Sequence, residues 1–191
     1  MRVLAPAAAA LALLAVACGG GSSTLSDSGP VLGKIPWSGA ETAKYRVLKD
    51  DKQIGTAEFR ISPAAAPGAS PSATTFSQEF DFPNDKIKDS ASATATATTL
   101  QPLSVSRTID APKGKRTCAT RYEGAKATVE QHTDTDQRTD TLDIPKGSYD
   151  SWTDLFLWRT LAFADGYQTS YQGVLTCSLA KPDLISIVLN V

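Results

Sequence analysis

The single histidine of the chain lies in the run His-Thr-Asp-Thr-Asp-Gln at residues 132–137. In an extended strand His132, Asp134 and Asp136 would point to the same side, which would offer an imidazole and two carboxylates to a hard cation. Oxygen-rich cation sites need more ligands and a glycine-shaped loop, and this run supplies neither. We therefore predict a solvated hairpin tip here, with no metal site and no cofactor.

Nucleophilic catalysis finds equally little support. The chain is rich in serine and threonine, but it contains no Gly-x-Ser-x-Gly elbow, and no triad can be assembled around its one histidine. Cys118 fits no cysteine-protease signature. The basic run at 113–116 is most simply a turn. The sequence therefore predicts a protein that is not an enzyme and has no catalytic residues.

The first of the three cysteines, Cys18, ends a distinctive N-terminal segment. Arg2 is followed by a run of Ala, Leu and Val, interrupted only by Pro6, that closes with Leu-Ala-Val-Ala-Cys at 14–18. The run is too short to span a bilayer as a stable helix. It resembles a bacterial lipoprotein signal peptide with its lipobox, and a plain secretory signal is the alternative. The resemblance implies a signal peptide at residues 1–17 and acylation of Cys18 as the first mature residue.

This assignment predicts the location and one partner of the protein. The Gly/Ser-rich residues 18–34 would form a flexible tether to the membrane, and residues 35–191 a single domain in the cell envelope, lipid-anchored to the outer face of a membrane. The formal net charge of the chain is −1. A nucleic-acid-binding protein needs a clustered basic face, so we expect no nucleic-acid partner. The oligomeric state is left open.

The other two cysteines form an even pair. Both Cys118 and Cys177 lie in segments that read as strands, and an extracytoplasmic location is oxidising. A disulfide requires their Cα atoms to approach within about 7 Å. Neighbouring strands of one sheet would satisfy that distance. Two buried free thiols are the alternative.

One segment has a helical pattern, at about residues 150–163. Four apolar side chains share one of its faces: Trp152, Leu155, Phe156 and Phe163. Arg159 falls in the middle of this face. A guanidinium buried among apolar side chains needs an anionic partner or a bound acidic ligand. The alternative is that Arg159 extends its charged head to water.

The other mature segments read as strands and turns. Residues 43–61 alternate around a central turn and predict a β-hairpin. Residues 74–82 alternate with phenylalanine on one side, and residues 90–99 alternate strictly between alanine and Ser/Thr. Three strand acids are candidate partners for Arg159: Glu58, Glu79 and Asp81. We predict a mainly β (α+β) fold, a curled antiparallel sheet or half-barrel of about eight to ten strands wrapped around one helix.

Three motifs in order resemble the bacterial family known as domain of unknown function 3108. They are Tyr-Arg-Val-Leu…Ile-Gly-Thr-Ala from residue 45, Leu-Gln-Pro-Leu at 100–103, and the helical segment from Tyr149 to Leu161. The resemblance covers roughly residues 43–191 and implies a β-rich envelope domain with no established activity. A sheet curled around a helix also resembles the lipoprotein-carrier fold, whose members hold acyl chains.

The chain ends inside an apolar strand, where the family as we know it continues with further strands. Either the domain is truncated at its C-terminus or its sheet closes differently. Two function classes remain: a module that binds a lipid or other amphiphile between sheet and helix, and a structural or protein-interaction module of the envelope with a filled core. An open cavity beside the alanine face of residues 90–99 would favour the first.

Overall fold

The computed structural model describes residues 32–63, 73–178 and 181–191. The predicted signal peptide, Cys18 and most of the predicted tether lie outside these ranges. The described residues form eleven strands and one short α-helix. The elements are β1 Glu41–Lys49, β2 Lys52–Pro63, β3 Ala73–Phe82, β4 Ile87–Thr96, β5 Pro102–Ala111, β6 Gly114–Glu123, β7 Lys126–Thr133, β8 Gln137–Asp143, β9 Tyr149–Asp150, α1 Asp154–Trp158, β10 Gln168–Leu175 and β11 Asp183–Asn190.

The first eight strands form one antiparallel sheet in which every strand pairs with its neighbour in the chain. This sheet does not close, since β1 and β8 are its two edges among the described residues. A smaller sheet has the order β11-β10-β9, with β9 parallel to β10. The predicted fold class is therefore confirmed: a mainly β protein with an open curled sheet and one helix.

The alternation predicted from the sequence decides which face of the large sheet is buried. Phe76 of β3 lies opposite Ala93 of β4, which lies opposite Val105 of β5, and all three side chains are 1–2% exposed. Directly opposed residues point to the same side, so these side chains define the inner face. The neighbouring Ser and Thr side chains point outward. Ala91, Ala93 and Ala95 make the inner face of β4 thin, as the sequence predicted.

The small sheet and α1 pack against this inner face and share its core. The largest cluster of buried apolar side chains draws on both sheets, α1 and the segment before β1: Trp37, Ile61, Phe76, Ala95, Leu100, Tyr149, Phe156, Leu157 and Tyr171. Trp37 meets Phe76 edge to face at 5.7 Å. The segment before β1 also crosses the end of α1, where Gly33 N donates to Thr160 Oγ1 at 3.2 Å. A Cβ at Gly33 would overlap the Thr160 carbonyl, so the contact requires glycine.

The helix is much shorter than predicted. A 3-10 turn at Ser151–Thr153 leads into α1, which ends at Trp158 instead of near residue 163. At this end the backbone N–H and the hydroxyl of Thr160 both donate to Leu157 O, at 2.9 and 2.7 Å. That carbonyl would otherwise accept from Leu161 N in a continuing helix. Leu161 N donates instead to Trp158 O in a tighter turn.

A disulfide joins Cys118 to Cys177, with their Cα atoms 5.4 Å apart. Cys118 lies on the inner face of β6, and Cys177 lies two residues beyond the end of β10. The expectation that the two cysteines occupy neighbouring strands of one sheet is wrong, because the bond joins the large sheet to the small one. The two residues are 59 positions apart in sequence. Closing a loop of that length stabilises a fold by about 4 kcal/mol in the chain-entropy model.

Candidate functional site

An apolar groove separates α1 from the inner faces of β1 and β2. Its volume is about 610 Å³, and its lining combines one strand pair with one side of the helix: Glu41, Thr42, Ala43, Tyr45, Phe59, Ile61, Leu155, Phe156 and Arg159. Small-molecule sites in proteins usually measure about 300–1,000 Å³. The groove is therefore large enough for a small ligand.

Strand register explains why apolar side chains meet in the groove. Ala43 lies opposite Phe59, and Tyr45 lies opposite Ala57, so these residues share the inner face of β1 and β2. Tyr45 and Phe59 meet edge to face at 5.4 Å, and Phe59 lies 6.5 Å from Phe156 of α1. Tyr45 is nevertheless 54% exposed. Because α1 ends early and leaves the β1 edge uncovered, aromatic surface stays open to solvent there.

The mouth of the groove is charged. Arg159 Nη2 donates to Glu41 Oε2 at 2.8 Å, and the two side chains are 46% and 38% exposed. The guanidinium also lies 5.7 Å from the centre of the Trp37 ring. Of the two alternatives left open for Arg159, the structure shows the second: the side chain lies beyond the end of α1 and its charged head is open to water.

The acids proposed as partners of Arg159 do not reach it. Glu58 and Glu79 lie on the outer face of the sheet, where both bind Arg60, at 2.7 and 2.9 Å. Asp81 lies two residues after Glu79 on β3, so its side chain also points outward. The acid that pairs with Arg159 is Glu41, at the start of β1.

The other residues of the predicted ligand or buried-charge site lie in different parts of the structure. Phe156 lies in the groove and also contacts Phe76 of the core, at 4.6 Å between ring centres. Trp152 lies outside the groove, with its indole N–H donating to Thr176 O at 3.1 Å. Phe163 is 47% exposed and meets the Tyr167 ring at 5.4 Å. The structure therefore brings only Arg159 and Phe156 of this set together.

Among the described arginines, Arg107 of β5 is largely buried, and the sequence did not lead us to it. Its Nε and Nη2 donate to the two carboxylate oxygens of Asp89 at 2.9 and 2.5 Å, and Nη1 donates to Cys177 O at 2.8 Å. The guanidinium also stacks on Trp152, 4.7 Å from the ring centre. Arg107 and Asp89 are only 15% and 18% exposed. The sequence could have indicated this burial, because Arg107 lies two residues after Val105 on β5 and therefore points to the same inner face.

A buried carboxylate fixes the start of the helical segment. Asp150 is completely buried, and its Oδ1 accepts from Trp152 N at 2.8 Å, which caps the 3-10 turn. Its Oδ2 accepts from Thr176 Oγ1 at 2.7 Å and from the Tyr122 hydroxyl. Burial raises the pKa of Asp150, and these hydrogen bonds oppose the shift.

A second acid, Asp154, lies one turn further along. Its Oδ1 accepts from the Tyr171 hydroxyl at 2.9 Å, and Trp158 Nε1 donates to the same hydroxyl at 2.8 Å. The pKa of Asp154 is raised to about 7, chiefly by burial; the hydrogen bond from Tyr171 opposes the shift and the nearby Asp150 carboxylate adds to it. No ion pair joins either acid to a cation within the described residues. Asp154 therefore titrates near neutral pH.

The inner face opposite the alanine strand is filled. Ala93 packs in a cluster with Val105 and Cys177, and Trp152 covers this cluster. Gln78 Nε2 donates to Trp152 O at 2.8 Å and holds the 3-10 turn against β3. The helical segment therefore covers the alanine face, and the described residues do not show the open cavity there that would have favoured lipid binding. The open groove lies on β1 and β2 instead.

The predicted hairpin tip is confirmed. His132 lies near the end of β7, and Asp134 and Asp136 lie in the turn before β8. Asp134 Oδ2 accepts from Lys115 N at 3.3 Å. In the ranges that the structure covers, no group of three His, Cys, Asp or Glu side chains is arranged to hold a metal ion. Likewise, none of the described helices is long and apolar enough to cross a membrane.

A comparison with family models identifies the domain. The model described as "Protein of unknown function (DUF3108)" matches residues 44–174, which include all of the groove except Glu41, Thr42 and Ala43. The chain belongs to the DUF3108 family. A search of curated proteins and a search of solved structures found no match.

The two arginines of the DUF3108 domain should respond very differently to substitution. Arg107→Leu strands Asp89 without its cation in a largely buried position, so we expect it to lower the free energy of unfolding by about 3 kcal/mol. Arg159→Leu removes a half-exposed ion pair and should cost less than about 1 kcal/mol. Urea unfolding followed by tryptophan fluorescence compares them. Equal losses in the two variants would contradict this assignment.

Asp154 makes the stability of the DUF3108 domain depend on pH. Its pKa rises from 3.8 in the unfolded chain to about 7 in the folded domain, so the folded state holds a proton that the unfolded state releases. Its contribution to the free energy of unfolding should be complete below pH 3.8, decrease as the pH rises to about 7, and then stay constant, a total loss of about 4 kcal/mol.

The matched variant is Asp154→Asn, which keeps an acceptor for Tyr171 and cannot ionise. Urea unfolding at about pH 5 and about pH 8 should show a smaller loss of stability in Asp154→Asn than in the wild type. If both proteins lose the same stability over this interval, another group controls it.

Proposed function

We propose that the protein is a membrane-anchored lipoprotein of the bacterial envelope, whose noncatalytic DUF3108 domain binds the apolar part of a lipid or other amphiphile in the groove between α1 and β1–β2. The observation that carries the proposal is the groove itself, an open apolar surface of about 610 Å³ in which Tyr45 and Leu155 are 54% and 46% exposed. Exposed apolar side chains that share a concave surface are typical of binding sites.

The chemistry of the groove favours an amphiphile over a purely polar ligand. Its floor consists of Ala43, Phe59 and Ile61, and Phe156 closes the helix side. These side chains offer a ligand no hydrogen-bonding groups, so binding there gains free energy from apolar surface removed from water, about 25 cal/mol per Å². The charges lie at the mouth. An apolar tail inside and a polar group at the mouth match this arrangement.

The proposed anchor supports the same function. The described domain begins at Leu32, and Gly33 contacts Thr160, the residue next to Arg159. A chain tethered through Cys18 would therefore enter the domain beside the mouth of the groove. A flexible tether of this length would keep the mouth of the groove near the membrane surface. This arrangement suits a protein that exchanges amphiphiles with the membrane that holds it.

A structural or protein-interaction role is the second candidate, and one observation favours it. The inner face opposite β4 is filled by Trp152, Val105 and the disulfide, which leaves the centre of the curled sheet closed. In this case the groove would be an uncovered edge of the core and would hold no ligand. Native mass spectrometry of the purified protein separates the two roles, since only the first predicts a copurified amphiphile.

The anchor itself has a direct test. Cys18→Ser removes the proposed acylation site and should abolish metabolic labelling with palmitate, while a second variant, Ser22→Ala, leaves the cysteine in place and should label normally. Continued labelling of Cys18→Ser would show that Cys18 is not the acylated residue.

Groove binding is tested by filling the groove. Ala43 is exposed on the inner face of β1, so Ala43→Trp places an indole between β1 and α1 without entering the core. We expect the affinity for a fluorescent fatty acid to fall at least about tenfold, a change of about 1.4 kcal/mol. Arg46→Trp is the matched control, on the outer face of the same strand, and should bind as the wild type does. Equal binding by both variants would place the ligand elsewhere.

A further inference from the structure

Glu41 and Arg159 are the two charged residues among the described residues that line the groove, and both are accessible to a ligand. Their side chains are 38% and 46% exposed. An ion pair this exposed contributes about 0–1 kcal/mol to stability. A ligand can therefore separate the two side chains at little cost.

The two charges belong to opposite walls of the groove. Glu41 begins β1, where it lies opposite the buried Ile61. Arg159 follows α1, and the Trp37 ring supports its guanidinium from one side. Each charge is thus attached to a rigid element. A ligand that enters between them meets a cation on the helix wall and an anion on the sheet wall, only a few ångströms apart.

We propose that the groove selects amphiphiles with a zwitterionic headgroup, whose anionic group binds Arg159 and whose ammonium group binds Glu41. The inference rests on the proposed function and specifies its ligand class. A phosphate next to an ammonium, as in phosphoethanolamine, matches both walls. A guanidinium binds phosphate through paired hydrogen bonds, and a carboxylate accepts from the ammonium. The acyl chain then lies along Phe59 and Phe156.

Charge complementarity disfavours the other headgroup classes. A purely anionic headgroup on Arg159 would lie against the Glu41 carboxylate, and this repulsion reduces its affinity. A neutral headgroup would have to displace the ion pair without replacing either of its charges. Only a headgroup with both signs exchanges one ion pair for two.

The test measures the binding of three lysolipid probes that carry the same acyl chain. They are lysophosphatidylethanolamine, which is zwitterionic, lysophosphatidylglycerol, which is anionic, and a neutral monoacylglycerol. The full chain carrying Cys18→Ser is used, so that no anchor of its own competes for the groove. Titration calorimetry below the critical micelle concentration should show the zwitterionic probe binding about tenfold more tightly than either of the others.

Two variants assign the headgroup contacts. Glu41→Gln should weaken the zwitterionic probe several-fold and leave the anionic probe equal or tighter, which removes the selectivity. Arg159→Gln should weaken both phosphate probes about tenfold and leave the monoacylglycerol unchanged. Arg46→Gln, on the outer face of β1, is the control and should change none of the three affinities. Because Glu41 and Arg159 are half-exposed, neither variant threatens the fold.

The outcomes separate this inference from the function on which it rests. If the three probes bind with equal affinity, or if Glu41→Gln leaves their ratio unchanged, the headgroup assignment is overturned and amphiphile binding stands. If none of the probes binds, the proposed function fails and the inference fails with it.

Discussion

The buried carboxylate of Asp150 is the interaction on which the rest of the architecture depends. It accepts hydrogen bonds from Tyr122 of the large sheet, from Thr176 beyond the end of β10, and from Trp152 N at the start of the 3-10 turn. One side chain thus joins both sheets to the helical segment. A buried carboxylate without these donors would be prohibitively costly, so the three partners must be assembled together. The disulfide between Cys118 and Cys177 reinforces the same junction from the other side of Thr176.

This junction divides the inner face of the large sheet into a closed end and an open end. At the closed end Arg107 is held by Asp89, by Cys177 O and by the Trp152 ring, so its charge is neutralised and each of its three nitrogens donates a hydrogen bond. At the other end α1 ends after five residues, and Thr160 donates to the Leu157 carbonyl just beyond it. A helix of the predicted length would extend beyond the present end of α1. The groove lies at this end, between one side of α1 and the inner faces of β1 and β2.

The strand pattern was readable from the sequence because alternation is a local property. Phe76 and Ala93 lie on the buried face that their spacing indicated, and the thin alanine wall is covered by the helical segment as expected. The end of the helix could not be predicted from the sequence, because hydrophobic periodicity gives no information on the side-chain hydrogen bond from Thr160 to Leu157 O. The predicted helix was too long, and burial of Arg159 was one of the two alternatives that it left open. Its true partner, Glu41, lies 118 residues away and could be found only from the topology.

The ion pairs of Arg107 and Arg159 differ in how far they are buried. Arg107 and Asp89 lie on adjacent strands with their side chains on the same face. The guanidinium therefore binds both carboxylate oxygens, and these bonds offset most of the free energy lost when the two charges are removed from water. Arg159 and Glu41 meet across a gap between helix and sheet, where water still reaches both. The first pair is bound into the structure and is largely buried. The side chains of Glu41 and Arg159 remain accessible to a ligand. This difference makes the β1–β2 end, not the disulfide end, the part of the DUF3108 domain suited to binding.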